Sequence, residues 1–264
     1  MPYEKLLLEK KEEGIAVVSM NDPGRLNALD IVMSRELKEC LSALEKDESV
    51  KAVVIKGEGR AFSSGGNLRD MRDSFEDDPA KYMDDLTVEV YTAVAAIENM
   101  SKPVIAQVHG SAYGAAMNMV LACDLAVAAE GTVFCESFLK IGLIPGGHAT
   151  RLLSRTMGPK KAAELCYTAR EVRHEDALSL GIVNCVVPPH GLEDAVMELA
   201  KKIAAAPPVA VRETKRLLRE ARHRSEDAQS KDERETQIRM AATEDHKEGV
   251  MSFFEKRLPE FKGK

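Results

Sequence analysis

The sequence predicts an α/β fold built on a parallel β-sheet, followed by an all-helical C-terminal region. Up to about residue 190, short apolar runs rich in β-branched residues alternate with longer segments of helical period. Strand, helix, strand order of this kind is typical of parallel sheets with crossover helices. From residue 192 the pattern is almost wholly helical. The change predicts a core of residues 1–190 and a helical subdomain of residues 191–264.

The first predicted elements are a strand, a turn, a helix and a second strand. Residues 15–20 (IAVVSM) are apolar and β-branched, which favours a strand, and residues 21–24 (NDPG) are turn formers. Apolar side chains recur at helical spacing over residues 30–44, where Asp30 is the expected N-cap. Residues 51–56 (KAVVIK) predict the next strand.

An acidic stretch then leads into a long helix. Residues 73–80 (DSFEDDPA) contain Pro79 and predict a loop. Residues 82–100 have the apolar periodicity of a long amphipathic helix.

The chain is organised around residues 103–129 (PVIAQVHGSAYGAAMNMVLACDLAVAA). A strand is predicted over 104–108 and another over 125–129. Between them, the small residues 111–116 are expected to open a helix that continues through residue 121.

The remaining predicted elements are mostly helices. Residues 159–168 and 175–180 are expected to be helical, and residues 183–187 to form a short strand. The C-terminal helices are predicted over 192–205, 208–223, 227–242 and 244–256. Their apolar stripes need a partner surface.

Composition excludes several classes of function. With 264 residues and 44% hydrophobic content, the chain can bury a proper core as one large domain or two smaller ones. A net charge of -6 argues against nucleic-acid binding. No apolar run is long enough to span a membrane, and the charged N-terminus is unlike a signal peptide. The five scattered cysteines form no CxxC pair, so we expect reduced thiols, no metal site and a cytoplasmic protein.

Two glycine-rich turns follow predicted strands and begin helices. Gly114, Ala115 and Ala116 leave the first turn of one helix nearly bare, so another group can approach its unpaired N–H groups. Gly65 and Gly66 follow the strand at 51–56 in the same way. Two such turns could aim two backbone N–H groups at one point, as an oxyanion hole requires. Close packing of a helix on a strand, which also selects small residues, is the alternative.

Five segments, taken in order, resemble the crotonase (enoyl-CoA hydratase/isomerase) superfamily. They are NDPGRLNAL (21–29), AFSSGGNLRDM (61–71), HGSAYGAAMNMVLACDLAVA (109–128), IGLIPGG (141–147) and ALSLGIVNCVVP (177–188). The resemblance implies a spiral of stacked ββα units and a C-terminal helical trimerisation subdomain. It also implies a homo-oligomer, either a trimer or a dimer of trimers. The implied substrate is an acyl-CoA thioester, so coenzyme A enters as part of the substrate and no cofactor is permanently bound.

The resemblance further implies which residues hold the thioester. The backbone N–H groups of Gly66 and Ala115 are the expected oxyanion donors, and an alanine serves here provided that its φ is negative. The expected contacts with coenzyme A are Arg25, Leu26, Ala28, Ala61, Asn67, Leu68, Arg69, Phe254 and Lys256, the last two at the adenine end. The region of the long helix at 82–100 is expected to form part of the acyl pocket wall.

Three positions depart from the family pattern. Enoyl-CoA hydratases use two glutamates to position and split water, and the matching residues are Asn118 and Phe138. A third acid, an aspartate in several isomerases, matches Gly146. None of the three ionises, and an amide does not take up a proton near neutral pH. A standard crotonyl-CoA hydratase is therefore not expected.

Glu136 and His148 are the ionisable residues placed near these positions. In an extended segment Glu136 leaves on the same face as Phe138, although an exposed glutamate at a strand end is the alternative. His148 begins a predicted helix, where the alternative is a histidine facing solvent or another subunit. We expect proton transfer to depend on one of these two residues or, failing both, on the helix at 82–100 or the substrate.

Three functions remain open. The first is a lyase or isomerase that stabilises an enolate or oxyanion of an acyl-CoA without the paired glutamates. The second is a CoA-thioester-binding subunit or sensor that has lost catalysis. The third is a hydrolase or C–C lyase of a cyclic acyl-CoA.

Overall fold

The computed structural model describes residues 3–221 and 223–264, and nine strands within these ranges form two sheets. The strands are β1 (Leu6–Lys11), β2 (Ile15–Met20), β3 (Ala52–Gly57), β4 (Val104–Val108), β5 (Ser111–Tyr113), β6 (Leu125–Ala129), β7 (Val133–Cys135), β8 (Glu171–Arg173) and β9 (Cys185–Val187). The larger sheet has the order β1-β2-β3-β4-β6-β9, and the smaller sheet has the order β5-β7-β8. Neighbours in the larger sheet run parallel except at the β1–β2 pair. The predicted parallel sheet is confirmed.

The same described ranges contain eleven α-helices. They are α1 (Ile31–Lys46), α2 (Leu68–Asp73), α3 (Pro79–Asn99), α4 (Ala115–Ala122), α5 (Ala149–Met157), α6 (Pro159–Thr168), α7 (His174–Ser179), α8 (Leu192–Ala204), α9 (Pro208–Glu220), α10 (Glu226–Ala241) and α11 (Glu244–Glu255). None of these helices is both long and apolar enough to cross a bilayer. Residues 1 and 2 of the predicted core, and residue 222 of the helix predicted over 208–223, lie outside the described residues.

Two successive stretches of chain repeat one order of elements. Each has a strand of the larger sheet, a strand of the smaller sheet and a helix, first as β4-β5-α4 and then as β6-β7-α5. Ser63, in the turn after β3, forms a parallel bridge to Ala112 in β5, so that turn lies beside the smaller sheet. This order is the ββα repeat that the resemblance implies.

The main core lies between the larger sheet and helices α1, α3 and α4. The side chain of Asp30 accepts a hydrogen bond from the N–H of Met33 at 2.8 Å, which confirms the predicted N-cap of α1. Leu37, Leu41 and Ile97 are fully buried where α1 packs on α3. The long helix α3 is thereby fixed by its buried face, and its other face is free to line a cavity.

The predicted loop at residues 73–80 is wrong. Residues 68–73 form α2, Ser74–Glu76 form a 3-10 turn, and α3 begins at Pro79. Asp78 caps α3 by accepting hydrogen bonds from the N–H groups of Ala80 and Lys81. Proline fits the first helical position because its missing N–H would have no partner there, so Pro79 starts this helix.

Four strands, β1, β5, β7 and β8, were absent from the predicted elements. Residues 111–113 form β5 instead of opening a helix, and α4 begins only after Gly114 turns the chain at φ 51°. Strand β1 (LLLEKK) is an edge strand whose side chains are mostly exposed, and its apolar residues stop after three leucines.

Helix α8, which follows the predicted boundary near residue 190, packs on the larger sheet. Its buried residues Val196 and Ala200 share an apolar cluster with Ile15, Val54 and Val127 of the strands. The division into residues 1–190 and 191–264 stays a prediction, and α8 of the second part contacts β2, β3, β4 and β6 of the sheet.

The two glycine turns meet backbone to backbone. Gly65 has a φ of 80°, and a Cβ atom there would lie 2.3 Å from the carbonyl oxygen of Tyr113 and 3.6 Å from the nitrogen of Ala115. The Leu29 N–H donates to the Gly65 carbonyl at 2.7 Å, which ties a third segment to the same place. Only glycine combines this conformation with so close an approach.

We expect Gly65→Ala to destabilise the protein by about 2–4 kcal/mol, because the methyl group would clash with backbone and the conformation would be strained. Urea unfolding monitored by circular dichroism measures the change. Gly191→Ala is the matched control, since Gly191 has a φ of -102° and no other atom within 4 Å of a Cβ. Equal stability of the two variants would contradict the close contact.

Candidate active site

A cavity of about 340 Å³ lies where the two glycine turns meet helix α3 and the 3-10 turn Ser137–Ile141. Its backbone lining comes from Gly66, Gly114, Ala115, Gly146 and Gly147. Its larger aliphatic and aromatic side chains are Leu68, Met71, Met83, Leu86, Val90, Tyr91, Phe138, Ile141 and Leu143. A second cavity of about 390 Å³ shares five of these residues and gives further room for an apolar group. Residues of α3 within 82–100, the region expected to form part of the acyl pocket wall, thus line the cavity.

Gly66 and Ala115 line this cavity together, and neither backbone N–H has a hydrogen-bond acceptor among the described residues. Gly66 bridges to Leu29, but the bridge uses the Gly65 carbonyl and the Asn67 N–H. Ala115 is the first residue of α4, where no intrahelical acceptor exists. Its φ is negative, so the expected condition on an alanine is met. Two backbone donors without acceptors therefore line the same cavity.

The ring of Phe138 lies between the turn at Gly114 and the loop at Gly146. Its ring would be 3.5 Å from a Cβ at Gly114 and 3.7 Å from a Cβ at Gly146. An aromatic ring therefore stands where the resemblance implies a glutamate, and it makes this wall apolar.

Asn118 is fully buried and joins α4 to the loop at Gly146. Its Nδ2 donates to the Gly146 carbonyl oxygen at 2.9 Å, while its Oδ1 has no partner. The side chain is absent from the cavity lining. Its observed role is to hold two segments of the cavity wall together.

Glu136 is buried beside Asn118, with only 1% of its surface exposed, so the alternative of an exposed glutamate is wrong. Burial raises the pKa of Glu136 to about 8, and the nearby Asn118 amide opposes the rise only in part. Neither carboxyl oxygen has a partner at hydrogen-bond geometry. Glu136 is not among the cavity-lining residues, because the chain turns into a 3-10 helix at Ser137 and its side chain packs behind the wall. A direct contact with substrate, as the sequence suggested, has no support from this position.

His148 also lies outside the cavity lining, so its position does not support the expected direct role in proton transfer. Its Nδ1 lies 2.9 Å from Glu98 Oε2, and Arg151 donates to the same oxygen. Burial disfavours the charge on Glu98, but the hydrogen bonds from Arg151 and His148 outweigh burial and lower the pKa of Glu98. The imidazole ring also meets the ring of Tyr91 edge to face, at 5.3 Å between centroids. His148 thus supports the wall from behind.

The expected CoA-contacting segments are brought together beside the cavity. Ser64 donates its N–H to the Leu26 carbonyl at 2.9 Å, which aligns residues 25–28 with residues 61–69. Ala28 and Ala61 are buried, and Asn67 caps α2 by accepting from the N–H of Arg69 at 3.1 Å. Leu68 lines the cavity. Arg25 is exposed and lies 3.9 Å from Asp70, so its guanidinium can reach a ligand in solvent.

Phe254 and Lys256 are not brought to this cavity. Phe254 lies on α11 and lines a separate cavity of about 830 Å³ between α9, α10 and α11. Lys256 ends α11 with a φ of 55°. Within one chain these two residues do not meet the other expected CoA contacts.

Sequence reasoning missed Asn27 and Ser63, which hold the turns in place. The buried amide of Asn27 donates to the carbonyl oxygens of Glu58 and Ala61. Ser63 Oγ donates to the Asn27 carbonyl at 2.7 Å. The turn-forming sequence NDPGRLN was the available signal for Asn27, but its side-chain partners are distant in sequence.

The buried carboxyl of Glu136 predicts a pH-dependent stability. Because its folded pKa of about 8 exceeds the ordinary 4.5, the folded state retains a proton that the unfolded chain loses. Its stabilising contribution is complete below pH 4.5 and declines as the pH rises to 8. We expect the unfolding free energy of Glu136→Gln to rise relative to that of the wild type between pH 4.5 and 8, by up to several kcal/mol. Urea titrations at a series of pH values measure the gap, and a gap that stays constant with pH would contradict the prediction.

Comparison with known proteins agrees with this geometry. A family model described as enoyl-CoA hydratase/isomerase matches residues 10–264. The chain is 33% identical over 262 residues to the crotonyl-CoA hydratase of Syntrophomonas wolfei, with 99% of each chain covered. It is 32% identical over 264 residues to the 1,2-epoxyphenylacetyl-CoA isomerase of Escherichia coli, with 98% of this chain and 99% of that protein covered.

Solved structures show the same fold. The enoyl-CoA hydratase of Bacillus anthracis superposes with a TM-score of 0.94 at 28% identity, over 99% of this chain and 100% of that one. The enoyl-CoA hydratase of Mycobacterium smegmatis superposes with a TM-score of 0.91 at 35% identity, over 99% of both chains. From the family match, the near-complete coverage and the shared fold, the chain belongs to the enoyl-CoA hydratase/isomerase family, the crotonase superfamily.

Proposed function

We propose that this protein binds an acyl-CoA thioester and stabilises the negative charge that develops on the thioester oxygen when an enolate forms. The observation that carries the proposal is the pair of unpartnered backbone N–H groups, of Gly66 and Ala115, on one largely apolar cavity. Fixed donors in such surroundings stabilise developing charge more than water does. Family membership supports the thioester as substrate class. Coenzyme A then enters with the substrate.

The same cavity argues against standard hydration of crotonyl-CoA. Hydration needs a group that takes a proton from water, and no carboxylate of the described residues lines the cavity. Asn118 is bonded to Gly146, and Phe138 fills the space between the turns. The relatives include both a crotonyl-CoA hydratase and a 1,2-epoxyphenylacetyl-CoA isomerase, so similarity alone does not decide between hydration and isomerisation. We favour proton transfer at the enolate, as in an isomerase, over addition of water.

The lack of a lining carboxylate also favours a second candidate, a protein that binds CoA thioesters without catalysis. Wild-type protein in D₂O separates the two. Enolate formation exchanges deuterium into the acyl carbon next to the thioester, whereas binding alone leaves that carbon unlabelled. Free CoA thiol in the same assay would instead indicate hydrolysis or C–C cleavage.

A cytoplasmic homo-oligomer is part of the proposal. Phe253 and Phe254 on α11 are 78% and 75% exposed in the single chain. Adjacent aromatic rings exposed to this degree favour burial against another subunit.

Ala115→Pro tests the oxyanion hole by removing one donor while keeping the helix. Proline is tolerated at the first helical position, which Ala115 occupies in α4. We expect deuterium exchange to fall about a hundred- to a thousandfold. Mass spectrometry of the acyl-CoA measures the rate.

Glu226→Pro is the matched control, because Glu226 is the exposed first residue of α10 and far from the cavity lining. It should exchange at the wild-type rate. A folded Ala115→Pro protein with wild-type exchange would contradict the assigned donor.

A further inference from the structure

The hydroxyl of Tyr91 stands in the cavity beside Gly146. Tyr91 lies on α3 and lines the cavity together with both proposed oxyanion donors. A Cβ atom at Gly146 would be 3.5 Å from the Tyr91 hydroxyl oxygen. Because residue 146 is a glycine, no side chain fills that space, and the phenol is the polar group next to it. Its hydroxyl makes no hydrogen bond within the described residues, so it is available to a ligand.

The other hydroxyl groups on the cavity are less suited to proton transfer. The Tyr113 hydroxyl donates to Glu171 Oε1 at 2.7 Å, and Thr87 donates to the Asp84 carbonyl at 3.0 Å. Ser64 and Ser137 have no base hydrogen-bonded to them among the described residues. A phenol exchanges its proton far more readily than an aliphatic alcohol does.

Packing fixes the Tyr91 ring from behind. The ring meets the imidazole of His148 edge to face, with centroids 5.3 Å apart and planes at 78°. His148 is held by Glu98, which also binds Arg151. A network of charged groups outside the cavity thus orients a phenol inside it.

We propose that Tyr91 is a catalytic residue that carries the proton between the acyl group and solvent. The inference rests on the enolate chemistry proposed above and supplies its proton-transfer group. Tyr91 is 37% exposed, so solvent reaches the residue and can exchange protons with a cavity-lining group.

In the proposed cycle the Tyr91 oxygen begins and ends as a phenolate, and it takes the proton from the carbon next to the thioester. The C–H bond breaks, its electron pair becomes the C=C bond of the enolate, and the carbonyl π pair moves to the oxygen held by Gly66 and Ala115. An O–H bond forms on Tyr91. Return of a proton from this hydroxyl to the acyl group completes the cycle, with no oxidant, reductant or co-reactant.

Tyr91→Phe tests the inference because it keeps the ring and its packing on His148. A panel of saturated acyl-CoAs is incubated in D₂O with wild type and variant, and thermal shift with the same thioesters measures binding. We expect exchange to fall at least about a hundredfold while the thermal shift is unchanged. Tyr82→Phe is the matched control on the same helix, outside the cavity lining, and should exchange like the wild type.

The outcomes separate this inference from the proposed function. Exchange by wild type that persists in Tyr91→Phe would overturn the role of Tyr91 and leave enolate formation intact. If Lys140→Met loses exchange while Tyr91→Phe keeps it, the exposed cavity-lining amine is the proton carrier instead. Thioester binding without exchange by the wild type would overturn the proposed function itself, and the role of Tyr91 with it.

Discussion

The backbone contact between the turn at Gly65 and the turn at Gly114 brings two distant segments of chain within van der Waals distance. A side chain at residue 65 would meet the Tyr113 carbonyl at 2.3 Å, so the contact depends on a hydrogen atom in place of Cβ. The bridge from Ser63 to Ala112 continues the same contact as β-structure. The residues next to it, Gly66 and Ala115, keep free N–H groups because each lies where the chain changes direction. One arrangement thus closes the fold and leaves two donors on a cavity.

The polar groups buried behind the cavity wall differ in their hydrogen bonding from the polar groups that line the cavity. Asn118 Oδ1 and both oxygens of Glu136 are buried acceptors without partners, which is costly for an ionised carboxylate. Retention of the Glu136 proton lowers that cost, since a neutral carboxyl supplies an O–H donor that a nearby amide oxygen can accept. The cavity itself presents Phe138 and Gly146 where carboxylates are implied by the resemblance. The acidic group at this site, Glu136, is therefore buried outside the cavity lining. The polar groups that line the cavity are hydroxyls, one amine and backbone N–H groups.

Local chemistry made much of the fold predictable. Asp30 begins α1 because a carboxylate satisfies an otherwise unpaired N–H, and the glycine turns are visible because few residues tolerate such conformations. The start of α3 could also have been predicted from Asp78 and Pro79, but the acidic run around them resembles a loop.

The site was less predictable because it depends on side-chain directions. The alternation of side chains along a strand predicted that Glu136 and Phe138 share one face. The 3-10 turn that begins at Ser137 ends this alternation, so the two side chains do not share a face. His148 has a φ of 64°, a conformation that histidine adopts only occasionally, and its ring bonds Glu98 outside the cavity. Tyr91 lies on a helix whose cavity-facing side becomes known only when its packing on α1 and α4 is known.

The proposed function requires the N–H groups of Gly66 and Ala115 to bind one oxygen atom of an acyl-CoA. A crystal structure with a non-reactive thioester analogue tests it most directly. We expect the thioester oxygen at about 2.7–3.1 Å from both backbone nitrogens. A bound analogue whose thioester oxygen contacts neither nitrogen would contradict it.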